Sequence, residues 1–175
     1  ALECMIREDR TPTVDTWWLF TIAEEVGLGA SSVLIPDVAA MVTVDNGTTA
    51  PGQNSSEFGV TIAMADQTGP FDWHLSRKLV QLARDHDIPH QKDVFRYYRS
   101  DSASALEAGA DIRTALVTFG IDASHGYERI HESALEDLSR LLIAYAESDV
   151  EISRDAKSLS GAKGFTHQPV GDEED

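Results

Sequence analysis

Trp17-Trp18-Leu19-Phe20-Thr21-Ile22-Ala23-Glu24-Glu25-Val26-Gly27-Leu28-Gly29-Ala30 is the stretch on which the reading of this chain turns. An apolar, strand-like run ends in two adjacent carboxylates and then in a glycine-punctuated turn. Successive side chains of a strand point to opposite faces, so as strand residues Glu24 and Glu25 could not both remain in water. An unpaired buried carboxylate is expensive unless a cation or a proton neutralises it. A metal-bound carboxylate beside a second one that handles protons resolves the conflict. The stretch therefore predicts a hydrolytic metal site at the carboxyl end of a strand.

Outward from this stretch, strand and helix signals alternate. Thr16–Ala23 reads as a first strand and Ala30–Leu34 as a short helix ended by Pro36. Ala39–Val44 reads as a second strand stopped by Asp45-Asn46-Gly47, and residues 48–57 as a loop. Gly59–Ala65 is a third strand. Asp72–His86 carries Leu75, Leu79, Val80, Leu82 and Ala83 on one helical stripe. His90–Tyr98 reads as a fourth strand, Ala103–Ala110 as a short helix and Arg113–Phe119 as a fifth strand. Ser133–Ser148 is an amphipathic helix whose expected buried face is Leu135, Leu138, Leu141, Leu142 and Tyr145. Strands separated by helices imply an α/β domain: a three-layer αβα arrangement with a central, mostly parallel mixed sheet. Residues 1–150 form that domain in this reading, and residues 151–175, rich in Ser, Lys, Gly, Asp and Glu, form a flexible acidic tail.

The composition narrows the partners. A chain of 175 residues with 42% hydrophobic and 25% charged residues fits one globular domain with its own core. A formal charge of −16 argues against nucleic acid or an anionic membrane surface as partner, because phosphate binding relies on Lys and Arg clusters. Cys4 is the only cysteine, so no internal disulfide can form. No apolar run reaches the roughly 18 residues a membrane span needs, and no secretory signal is visible. The expected location is the cytoplasm.

Ligands of open α/β sheets bind beyond the carboxyl ends of the strands. Glu24/Glu25, Asp45 and the Ser124–His131 loop fall there in this reading. Glu25, Asp45 and His131 can supply metal ligands, and Glu24 can take a proton from metal-bound water. Each has a plainer alternative. Asp45 before Asn46-Gly47 can simply shape a turn, His131 can cap the last helix, His125 can be a loop histidine, and a Glu-Glu pair can be a solvated face.

The run Leu19–Ala30 resembles the catalytic signature of dinuclear-metal aminopeptidases of the tetrahedral-aminopeptidase type, peptidase family M42. Asp45 after the second strand, Ser100-Asp101-Ser102-Ala103 and Tyr127-Glu128-Arg129-Ile130-His131 follow in the family's order. The resemblance covers about residues 1 to 148. The Gly126-Tyr127-Glu128-Arg129 wording is most similar to a subgroup linked to biosynthesis of the osmoprotectant N-acetylglutaminylglutamine amide. The resemblance implies a zinc-exopeptidase-like fold and an oligomeric enzyme that removes amino-terminal residues from peptides. It implies Glu24 as general base, Glu25 and His131 on one metal, Asp45 on the other and Asp101 near the substrate. It also implies two divalent ions (Zn, with Co and Mn chemically equivalent candidates) and a peptide or small amide substrate.

The family pattern further uses an upstream histidine and a metal-bridging aspartate just before the helix with which this sequence opens. A β-rich assembly domain lies between those two. The expectation is thus an N-terminally truncated catalytic portion that binds one metal or none and hydrolyses little. A metal-dependent deacylase or amide hydrolase, and a non-enzymatic domain with a decayed metal site, stand as alternatives.

Overall fold

A computed structural model of the chain describes residues 1–34 and 37–149; Pro36 and the expected tail over 151–175 lie outside them. The elements are α1 (Leu2–Arg7), β1 (Ala40–Thr48), β2 (Val60–Asp66), β3 (Gly69–Pro70), α2 (Trp73–Asp85), β4 (His90–Val94), α3 (Asp101–Glu107), β5 (Arg113–Asp122), β6 (Arg129–Ile130) and α4 (Glu132–Ala146). β1 pairs parallel with β5 from Ala40 opposite Arg113 to Thr48 opposite Ile121. β2 pairs parallel with β4. The two pairs join through the antiparallel contact of β2 with β5, so the sheet is mixed, and the short β3 and β6 add to it antiparallel.

Alternation along the strands assigns the two faces. Val60, Ile62, Ala115 and Val117 point to one side and pack with Leu75, Leu79, Val80 and Ala83 of α2 and Leu138 and Leu141 of α4. Leu75 and Leu79 are fully buried, each contributing about 1.5–3 kcal/mol by removal from water. Ala63 and Leu116 point to the other side, against Phe71 and Phe95. There α3 lies over the sheet, its Ser102 hydroxyl bonded to the Thr43 hydroxyl of β1. Asp72 caps α2 by accepting from Leu75 N–H at 2.8 Å, while its other oxygen meets Arg113 at 2.8 Å. That single carboxylate ties the start of α2 to the start of β5. The result is three layers, α2 and α4, the sheet, then α3, with α1 set on α4 through Met5, Ile143 and Ala146. No helix among the described residues is long and apolar enough to cross a membrane.

Several sequence expectations need correction. Thr16–Ala23 is not a strand: residues 16–21 are irregular, and Trp17, Phe20 and Ile22 are exposed, Ile22 completely. A continuous apolar run suits a strand covered on both faces, but among the described residues nothing pairs with it and the outer edge of β1 is also unpaired. The second strand does not stop at Val44 but continues through Asp45-Asn46-Gly47 to Thr48. Gly47 is there for close approach, since a methyl at that point would sit 2.3 Å from Thr118 Oγ1. The fourth strand ends at Val94, short of Tyr98. The short helix begins at Asp101, and in α4 Leu135 is 40% exposed, outside the buried stripe. The predicted helix over Ala30–Leu34 shrinks to a single 3-10 turn, Gly29–Ser31.

Candidate active site

Glu24 and Glu25 sit in a 3-10 turn, Glu24–Val26, rather than at a strand end. Gly27 closes the turn at φ 75°, a left-handed conformation that glycine adopts without a Cβ clash, and its N–H returns to Glu24 C=O at 2.7 Å. Two side chains of α3 grip the backbone on either side of Leu28 and Gly29. Asp101 Oδ1 accepts the Ala30 N–H at 2.6 Å, and Ser104 Oγ donates to the Gly27 carbonyl at 3.1 Å. Gly29 is packed so tightly on Asp101 that a Cβ would lie 2.3 Å from Oδ1. The two glycines of the signature thus have different duties: Gly27 bends the chain and Gly29 admits the aspartate. Asp101 is itself buried, and in this arrangement it holds the glutamate loop.

Opposite this loop stands β1, whose Asp45 shares the α3 side of the sheet with Thr43 under the alternation of strand side chains. Asp45 accepts its neighbour's N–H, from Asn46, at 2.7 Å. The two carboxylates feel each other. Burial, then Asp45, Glu25 and Asp101, hold the Glu24 carboxyl above its ordinary range, and His125 opposes them. Burial also raises Asp45, against the pull of Tyr98 and the Asn46 N–H. The Tyr98 hydroxyl is pushed far up by burial first and by Asp45 next, though it makes no hydrogen bond of ordinary geometry. The loop after β5 completes the rim. Ser124 Oγ donates to Asn46 Oδ1 at 3.4 Å, and His125 Nε2 lies 3.7 Å from Glu25 Oε2. Both side chains are exposed, so the contact is a weak one.

Asp45, Glu25 and Asp101 lie within electrostatic reach of Glu24, and His131 takes another role. His131 is the N-cap of α4: its Nδ1 accepts from Ser133 N–H at 3.2 Å and lies 2.8 Å from Ser133 Oγ, with its ring 4.6 Å from that of Phe58. With Nδ1 as acceptor, the neutral ring carries its proton on Nε2 and cannot ligate through that atom. Ligation through Nε2 requires the proton to move to Nδ1, where Ser133 Oγ can accept it, and ligation through Nδ1 uses the capping lone pair itself, so either route gives up the cap.

The donor types suit a divalent cation, which accepts carboxylate oxygens and imidazole nitrogens. The donor count is short: among the described residues no three His, Cys, Asp or Glu side chains converge to hold an ion by themselves. The residues fit as part of a donor set. Sequence reasoning treats His125 only as a loop histidine and misses Tyr98. The position of His125 on the loop after the fifth strand is the available signal for the first, and nothing in the sequence marks the second.

Comparison with known proteins places the family and the fold. The family model described as M42 glutamyl aminopeptidase matches residues 1–141. A Bacillus subtilis (strain 168) protein, provisionally named aminopeptidase YhfE, is 37% identical over 148 residues, 82% of this chain and 43% of its own length. The Pyrococcus horikoshii TET1 peptidase, described as assembling into a tetrahedron or a large octahedral shell, superposes with a TM-score of 0.64 at 25% identity, over 74% of this chain and 40% of its own. A TET aminopeptidase from a Thaumarchaeota archaeon shares the fold at TM-score 0.60 and 21% identity, over 83% of this chain and 42% of its own. The chain thus spans less than half the length of the relatives it matches.

Proposed function

Because the chain belongs to the M42 glutamyl aminopeptidase family, we propose that it carries the proton-transfer side of a metal-dependent aminopeptidase site, with Glu24 as general base. The supporting observation is the setting of Glu24: half-buried, facing Asp45, Glu25 and Asp101, and therefore held above the ordinary glutamate range. A base is most effective when its pKa approaches the working pH. Glu24 accepts the proton of the water that attacks the peptide carbonyl and returns it to the departing nitrogen. Asp101 and Ser104 hold its loop in place through Ala30 and Gly27.

Glu25, Asp45 and His131 are the proposed metal ligands. Zinc, cobalt or manganese suits these oxygen and imidazole donors. When bound, a divalent cation supplies Lewis-acid polarisation of the reacting groups. His131 serves only after it gives up its cap on α4. The substrate is a peptide with a free amino terminus, and the working form is a homo-oligomer, by analogy with the shells described for the TET1 relative.

The test is a substrate profile of the full-length gene product on free-amino peptides and on N-acyl amino acids. Hydrolysis confined to free amino termini is the expected result. Hydrolysis confined to N-acyl substrates would replace the aminopeptidase reading with a deacylase, the alternative compatible with an osmolyte pathway. No hydrolysis of either, with metal bound, would favour a binding domain.

A further inference from the structure

Among the described residues only two buried side-chain polar atoms lack a hydrogen-bond partner, Ser76 Oγ and Tyr98 Oη. Ser76 lies inside α2. Tyr98 is different. It follows β4, three residues ahead of Asp101, and its ring packs beside the cluster of Ala63, Phe71, Phe95 and Leu116. The ring centroid is 5.7 Å from that of Phe95 at 58°, and its carbonyl is fixed by the Gln67 N–H at 2.8 Å. Phe95 in turn abuts β1, since a methyl on Gly47 would lie 3.1 Å from its Cζ. Gly47 and Asp45 share a face of β1. The Tyr98 ring is thereby anchored on the side of the sheet from which Asp45 projects.

The rest of this cluster, Ala63, Phe71, Phe95 and Leu116, is wholly apolar, so the packing asks for a ring and not for an oxygen. A buried hydroxyl with no partner is a net cost to the fold. Asp45 has one oxygen on the Asn46 N–H, and a carboxylate offers lone pairs for a further donor and a cation besides.

We propose that Tyr98 is a positioning residue for Asp45: its hydroxyl donates to the Asp45 carboxylate and orients it toward the divalent cation. The proposal rests on the reading of Asp45 as a metal ligand. Groups that hold a ligand in this way set its orientation and basicity, and their loss typically weakens metal affinity about 10–100-fold. The neighbouring carboxylates make the orientation matter more, because Glu24, Glu25 and Asp101 all repel Asp45 when charged.

The experiment compares Tyr98→Phe, Asp45→Asn and wild type in the full-length gene product, stripped of metal and titrated with Zn2+ against a chromophoric chelator. Metal-free thermal unfolding is followed in parallel, and the Co2+ absorption spectrum reports ligand geometry. The expected result is about 10–100-fold weaker zinc affinity for Tyr98→Phe, an altered Co2+ spectrum and a metal-free midpoint unchanged or higher, with Asp45→Asn weaker still. Unchanged affinity in Tyr98→Phe beside a large loss in Asp45→Asn would overturn the positioning role while leaving Asp45 a ligand. Unchanged affinity in both would overturn the ligand reading and the proposal together. A loss of affinity accompanied by a lowered metal-free midpoint would show that Tyr98 is merely structural.

Discussion

Replacing Gly29 with alanine tests how the glutamate loop is held. The φ of Gly29 lies outside the left-handed region, so alanine is conformationally allowed there. On backbone entropy alone the change would stabilise the protein by about 0.4–1 kcal/mol. The packing says otherwise. The new methyl would lie 2.3 Å from Asp101 Oδ1 and 2.7 Å from its carboxyl carbon, and both belong to a buried side chain fixed by the Ala30 N–H. Overpacking costs about 1–3 kcal/mol, and displacing a buried acceptor from a charge-assisted hydrogen bond about 1.5–3 kcal/mol. The net expectation is a destabilisation of roughly 2–5 kcal/mol.

Urea unfolding of four proteins measures it: wild type, Gly29→Ala, Asp101→Ala and the double variant. With Asp101 removed the methyl has room, so Gly29→Ala in that background is expected to fall within about 1 kcal/mol of neutral. The double-mutant cycle should therefore show a coupling of at least about 1 kcal/mol, in the range found for directly contacting residues. An equal cost of Gly29→Ala in both backgrounds would refute the claim that Asp101 is what this glycine accommodates.

The same site sets two further outcomes. In the metal-free chain Glu24 and Asp45 are raised above their ordinary ranges, so the folded state binds protons more tightly than the unfolded one. Their contribution to stability is fully present below the ordinary carboxylate pKa values and is lost as pH rises through the raised ones. Unfolding midpoints should climb as pH falls from neutrality toward the upper carboxylate range. Asp45→Asn should raise the midpoint at neutral pH and flatten that climb. Glu147, held low by Arg10, acts in the opposite sense, but only below the ordinary glutamate range. His131→Ala removes the α4 cap and should cost about 0.5–2 kcal/mol, read from denaturant midpoints of the metal-free protein. A loss below the lower bound would show that the Ser133 contacts do not support the helix.

The parts of the fold that the sequence disclosed are those whose periodicity is local. The stripe Leu75, Leu79, Val80 and Ala83 marked α2, and the same logic marked α4 through Leu138 and Leu141. The strands around Val60–Asp66 and Arg113–Asp122 showed through their β-branched and small residues. The misreadings arose where a distant neighbour decides the outcome. Thr16–Ala23 has strand composition but no described partner, and a strand exists only through its neighbours. Asp45-Asn46-Gly47 has turn composition, yet β5 alongside draws it into nine residues of continuous strand. In the site, the Glu24–Asp45 association came from order along the chain together with family resemblance. The duties of Asp101 and Tyr98 did not, because a grip on a backbone N–H and an unpartnered hydroxyl leave no mark on composition.

The most direct test of the account is the rate of aminoacyl anilide hydrolysis by metal-loaded full-length protein with Glu24 and with Glu24→Gln. The amide is nearly the same size as the carboxyl group but cannot take up a proton at neutral pH. The account predicts a fall in kcat of about 10²–10⁴-fold, with KM, metal content and folded stability essentially retained. A Glu24→Gln protein that turns over within a few-fold of wild type, at equal metal content, would contradict the assignment of Glu24 as the general base.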